Sequence, residues 1–292
     1  MLVFRTIAML LACAPMAAPA WAADPVVIKR TGKWVLNYDT DSCHLLAEFG
    51  TGEARMFVRF SRFTPGDGLD LSMYSEKLTS SRSAVDAKVD FGLGSGPADA
   101  RVMYANAGKF SVMLFGSVRL DGWNRIAKDG ESGEDVAPKV TPEQEARVTS
   151  LTYSAQFRSP VRLEFGSLAN PLAQMRDCTA NLVRTWGYDP DVQAALTRSV
   201  TPKGAPSKWL RDKDYPSEAV RNRQSGIVQF RLDVDSDGRV LGCHVLARTD
   251  PDAFADHTCK TLRARAVFDP ALDAQGKPVR SFFVSKVTFK LG

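Results

Sequence analysis

Two hydrophobic rhythms divide the chain. From about residue 30 to residue 190, short apolar runs alternate with polar positions at a period of two and are broken by Gly- and Asp-rich turns. Lys33 to Tyr38 reads as a first strand, and Asp39 to Ser42 as a turn. Arg55 to Phe63 sets Met56, Val58, Phe60 and Arg62 on one side and Phe57, Arg59, Ser61 and Phe63 on the other, a strand with a partly charged face. Thr64 to Gly68 ends it as a turn. Leu69 to Tyr74, Phe110 to Leu120, Ser150 to Phe157 and Val161 to Phe165 are further strands, and residues 127–141 form a polar loop. The period then changes to helical. Leu168, Leu172, Met175, Cys178 or Thr179, and Leu182 share one stripe, with Ser167 placed as a cap and Gly187 after the end. The spacing predicts a mostly β domain closed by a helix.

Residues 191–206 hold Pro202, Gly204 and Pro206 among small polar residues, the composition of a linker. Beyond it a compact pattern begins. Pro216 precedes a short helical turn at Ser217, Glu218 and Ala219, which Gly226 is expected to stop. Ile227 to Val234 carries Val228, Phe230, Leu232 and Val234 on one apolar face. Asp237-Gly238 supplies the positive φ of a tight hairpin, and Arg239 to Leu246 returns as its second strand. A helix from Pro251 to about Ala266 aligns Ala255, Cys259, Leu262 and Ala266. A last strand spans Val279 to Leu291. The order is helix–β–β–α–β, so the whole chain is of the α+β class.

Composition changes this picture little. The 292 residues suit about two domains, and 44% apolar with 24% charged residues is ordinary for globular proteins. The formal charge of +5 is scattered among acids, which argues against nucleic acid as a partner. The N-terminus adds more. Arg5, an apolar run from Thr6 to Ala18, Pro19 and Ala20-Trp21-Ala22 describe an export signal over residues 1–22, cut after Ala22. A retained anchor is the competing reading, opposed by Pro15, Pro19 and marginal length. A lipid-modified Cys13, from Leu10-Leu11-Ala12-Cys13, is a third. Cleavage leaves Cys43, Cys178, Cys243 and Cys259, an even number fit for an oxidising compartment. Of their three possible pairings, the domain division favours Cys43–Cys178 and Cys243–Cys259.

The three histidines lie beside cysteines, and Cys243, His244, His257 and Cys259 invite a zinc site. Geometry opposes it: strand neighbours point to opposite faces, and helix residues two apart diverge by about 200°. A strand-to-helix disulfide suits Cys243 and Cys259 better. Asp39-Thr40-Asp41 lacks the glycine of an aspartyl protease, and Asp233, Asp235 and Asp237 lack the later glutamate of a calcium loop. No nucleophile elbow, zinc-protease or phosphate-loop motif occurs. The expectation is a protein without catalytic residues, metal or cofactor.

An ordered set of short motifs in the C-terminal stretch points to a family. It runs from Tyr215-Pro216 and Gly226 through Asp237-Gly238-Arg239-Val240 to Arg263, Arg265 and Phe268-Asp269-Pro270-Ala271. It ends with Gly276-Lys277-Pro278-Val279 and Val287-Thr288-Phe289. Residues of about 205–292, a little over a quarter of the chain, resemble the C-terminal domain of the TonB energy transducers. The division that follows is 30–190 for the β domain, 191–206 for the linker and 207–292 for the TonB-like domain. The resemblance implies a three-stranded antiparallel sheet and a periplasmic role in transport across the Gram-negative envelope. It also implies that the last strand receives an extended segment of an outer-membrane TonB-dependent transporter, or of another envelope protein, by β-augmentation. By position, the binding strand would be Val279, Ser281, Phe283, Ser285, Val287 and Phe289. Ser285, Lys286, Thr288 and Lys290 keep it polar, which also protects an empty edge from aggregation. Family members that transmit force carry an uncleaved anchor and a Pro-rich spacer. The cleavable signal and the globular domain here predict recognition without force and no stable transmembrane anchor. The residues of 30–190 match no recognised pattern, so a ligand-binding or hydrolase module that the C-terminal unit merely docks is the alternative, and a structural role at the cell wall a third.

Overall fold

The computed structural model describes residues 24–77, 84–94, 96–123, 137–155, 159–249 and 251–291. The export signal with its Ala22 cleavage point, Cys13, residues 127–136 of the polar loop, and Phe157 lie outside the described residues.

The N-terminal unit is one sheet of ten strands. They are β1 (Val26–Lys29), β2 (Val35–Tyr38), β3 (Cys43–Phe49), β4 (Met56–Arg62), β5 (Leu69–Ser75), β6 (Ala84–Asp90), β7 (Ala98–Ala107), β8 (Phe110–Val118), β9 (Ser150–Ala155) and β10 (Val161–Glu164). Their order is β1-β10-β9-β6-β7-β8-β5-β4-β3-β2. The sheet curls back on itself. β1 pairs in parallel with β10, and its end meets β3 through the Arg30–Phe49 bridge and the bond from Gly50 N–H to Lys29 C=O. Curling satisfies main-chain groups that an open sheet would leave at its edge. The enclosed face is apolar: Leu45, Phe49, Val58, Phe60, Leu71, Met73, Leu151 and Leu163 are almost fully buried.

Helix α1 (Pro142–Arg147) opens with a capping box from Thr141 and Gln144. Helix α2 (Ala169–Thr185) then lays Leu172, Met175, Cys178, Thr179, Leu182 and Val183 onto the core. Cys178 is bonded to Cys43 at the start of β3. Its end is a Schellman turn: Gly187 N–H donates to Arg184 C=O, Tyr188 N–H donates to Val183 C=O, and Gly187 takes φ +81°.

The stretch read as a linker is folded. It holds helix α3 (Pro190–Ala194) and strand β11 (Thr201–Pro202), and Val200 is buried in the C-terminal core. Thr197 N–H donates to Leu272 C=O and Lys203 N–H to Val267 C=O, so these residues lie along the C-terminal unit. That unit continues with α4 (Ser217–Arg221), β12 (Gly226–Val234), β13 (Val240–Arg248), α5 (Ala253–Arg265), β14 (Phe268–Asp269), β15 (Ala271–Leu272), β16 (Pro278–Val279) and β17 (Ser281–Phe289). Its main sheet is antiparallel with order β13-β12-β17. Helix α4 ends five residues before Gly226, which opens β12 instead. No helix among the described residues is long and apolar enough to cross a membrane.

Candidate functional site: the outer edge of the last strand

β17 lies at the end of its sheet, and its register with β12 fixes which main-chain groups face outward. Ile227 turns both its N–H, to Thr249 Oγ1, and its C=O, to Thr249 N–H, toward β13. Main-chain direction alternates along a strand, so Val228 faces β17, where it pairs with Val287. The register has no shift, so Phe283, Ser285, Val287 and Phe289 turn their N–H and C=O toward β12. Phe282, Val284, Lys286 and Thr288 turn theirs to the outside. Among the described residues no strand pairs with β17 on that side.

This sorts the residues expected to bind. Ser281, Phe283, Ser285, Val287 and Phe289 all lie on β17, but Phe283, Val287 and Phe289 send their side chains into the unit's own core. Val279 lies outside β17, paired with Ala271 in the small β15–β16 hairpin. The outward main chain belongs to the alternate residues.

The motif residues serve this strand. A Cβ on Gly226 would lie 2.6 Å from the Phe254 ring, which stacks on Phe289 at 4.7 Å between centroids. Gly238 has φ +81°, and a Cβ there would lie 1.9 Å from the carbonyl oxygen of Phe268, so the hairpin tip admits no side chain. Phe268 in turn packs against Phe283 and Trp209. Arg265 holds Asp214 with both guanidinium Nη atoms and also donates to Trp209 C=O at 3.0 Å. The Arg265 bonds, with the Arg211 N–H, hold the Asp214 carboxyl down at about 2. Cys243 and Cys259 form a disulfide between β13 and α5, so neither is a thiolate free for zinc, and His244 points away to Asp233 at 2.9 Å.

The outer face of the sheet is where the two units meet. Tyr188, just past α2, donates its hydroxyl toward Asp233 Oδ1 at 2.9 Å and Ser281 C=O at 3.0 Å. Burial, then the Asp233 charge, push its pKa up. Trp186 and Tyr188 flank Phe282, each with ring centroids 5.2 Å from it. Arg231 lies 4.5 Å over the Trp186 ring and 3.2 Å from Asp233. Farther along, Lys286 Nζ sits 3.2 Å from Asp70 on β5. Beside that pair is a cleft of about 240 Å³ of mixed lining between the units, with Ser61, Arg62, Phe63, Asp70 and Ser117 on one side and Gln229, Val284 and Lys286 on the other.

One cluster near the cleft has the residue types of a hydrolase. His44 Nδ1 is 2.8 Å from Ser61 Oγ, and its Nε2 is 2.9 Å from Ser42 Oγ and 3.7 Å from Asp39. Burial and then the Arg59 charge lower the His44 pKa to about 4, against a partial rise from Asp39. A general base works best with a pKa near the operating pH. His44 is therefore a weak base, and Ser61 is itself only 3% exposed. The arrangement suits a buried hydrogen-bonded histidine better than a nucleophile.

A buried, glycine-dependent core behind a three-stranded sheet, with β13 and β17 as its two edge strands, defines a small domain that presents a strand edge. Residues 211–291 match the family model described as Gram-negative bacterial TonB protein C-terminal. The C-terminal unit is thus a TonB-type domain, a class tied to transport-related interactions in the cell envelope. No curated protein and no solved structure matches the chain.

Proposed function

We propose that this is a periplasmic protein that binds an extended segment of an envelope partner, an outer-membrane transporter above all, by adding it as a fourth strand beside β17. The observation that carries this reading is the outward row of N–H and C=O groups at Phe282, Val284, Lys286 and Thr288, unpaired by any strand among the described residues. An incoming strand satisfies such groups at low cost because the edge is already rigid. The family match supports the partner class. Binding proceeds without catalysis or cofactor, and the N-terminal domain occupies the place of a spacer, so the role is recognition rather than force.

The test uses the full oxidised chain and envelope extract. Val284→Pro removes an outward donor and leaves the β12 bonds intact, so it abolishes capture of outer-membrane transporters while the protein stays folded. Ser285→Pro removes a donor aimed at β12 and destabilises the sheet. Unchanged transporter capture by a folded Val284→Pro protein overturns the reading.

A further inference from the structure

The cleft beside β17 has a second wall of definite chemistry. The registers pair His44 with Ser61, Ser61 with Asp70, and Asp70 with Ser117, so four polar side chains form one row across β3, β4, β5 and β8. Their chain neighbours Leu45, Phe60, Leu69 and Leu71 are in the core, so the row faces away from it. Three members of the row, Ser61, Asp70 and Ser117, line the cleft opposite Gln229 and Lys286. Side chains on one face of a sheet stay on that face when a strand is added. Alternate side chains of a strand beside β17 therefore project toward the same side as Val284 and Lys286, the side of the cleft.

We infer that this row is the second wall of the peptide site and selects segments with neutral polar side chains, Ser, Thr, Asn or Gln, at alternate positions. The inference rests on the β17 reading. Of the three charged side chains that line the cleft, Asp70 and Lys286 pair at 3.2 Å, and Arg62 is buried with its Nε donating to Gly68 C=O. An arriving charge has to part Asp70 from Lys286, and an apolar side chain strands the Ser117 hydroxyl and the Gln229 amide, while Ser61 keeps its bond to His44. A hydroxyl or an amide both donates and accepts, which matches what the row offers. The cleft, at about 240 Å³, has room for small polar side chains.

The experiment measures the affinity of the full oxidised chain for four synthetic decapeptides that alternate Val with Thr, Leu, Glu or Lys. The wild type is expected to prefer the Thr peptide over the Leu peptide by about tenfold. Ser117→Leu, at an exposed position, is expected to erase that preference while still binding the peptides. Val284→Pro is expected to lose all four. If the Glu, Lys or Leu peptide ranks first, or if Ser117→Leu leaves the ranking as it was, the second wall is wrong and the edge-strand reading stands. If no peptide binds the wild type, or Val284→Pro binds them all as well, the edge-strand reading fails and takes this inference with it.

Discussion

The two sheets solve the same edge problem in opposite ways. The ten-stranded sheet curls until β1 meets both β10 and β3, and it is tied by Cys43–Cys178 across a separation of 135 residues. The three-stranded sheet stays open at β17, and its disulfide spans only 16 residues, on the far side, between β13 and α5. A closed sheet leaves few main-chain groups to pair, whereas an open edge leaves a row of them for the proposed added strand. The closed sheet also stands against the open one, through Tyr188 on Asp233 and Ser281 and through the Lys286–Asp70 pair.

Removing the two disulfides separately sharpens the contrast most. In the chain-entropy model, Cys43→Ala with Cys178→Ala costs about 5 kcal/mol, and Cys243→Ala with Cys259→Ala about 3 kcal/mol. Denaturant unfolding of each double variant checks the order; equal losses would mean the long loop is already constrained when unfolded. The next effect is a pH dependence confined to the closed sheet. His44 accepts a proton near pH 4 when folded but near 6.5 when unfolded. Its contribution is complete above pH 6.5 and is lost as pH falls toward 4, by about 2 to 3 kcal/mol. His44→Gln should flatten that part of the stability curve. The smallest effect lies at the junction. Tyr188→Phe removes a hydroxyl shared by Asp233 and Ser281 but leaves Asp233 its contacts with Arg231 and His244. A loss of about 1 kcal/mol is expected, and unfolding followed by separate probes in the two units should become less coincident.

What the sequence disclosed follows the same division. The alternation of Met56, Val58 and Phe60 announced β4, and the Leu172–Leu182 stripe announced α2, because each buries one face locally. Strands β1, β3, β6 and β7 passed unnoticed. Ala84–Asp90 and Ala98–Ala107 are rich in Ala and Asp and poor in β-formers, and they owe their state to neighbouring strands. Residues 191–206 looked like a linker because Pro and Gly mark both linkers and short docked turns. In the C-terminal unit the motifs were legible and their reasons were not: Gly238 matters because of Phe268, thirty residues on. The proposed binding edge lies on the strand that the sequence pattern pointed to, but the sequence reading assigned it by side chain. Side-chain face and main-chain direction both alternate with period two, and only pairing with β12 sets which residues turn outward. Asp70 and Lys286 are 216 residues apart, beyond any local pattern.

The most direct test of the central claim is residue-resolved amide exchange on the full oxidised chain, free and bound to a captured transporter segment. An added strand predicts a period-two footprint: the N–H groups of Phe282, Val284, Lys286 and Thr288 slow on binding, while those of Phe283, Ser285 and Val287, already bonded to β12, change little. Protection that spares these four and falls on β13 or on the N-terminal sheet would contradict it.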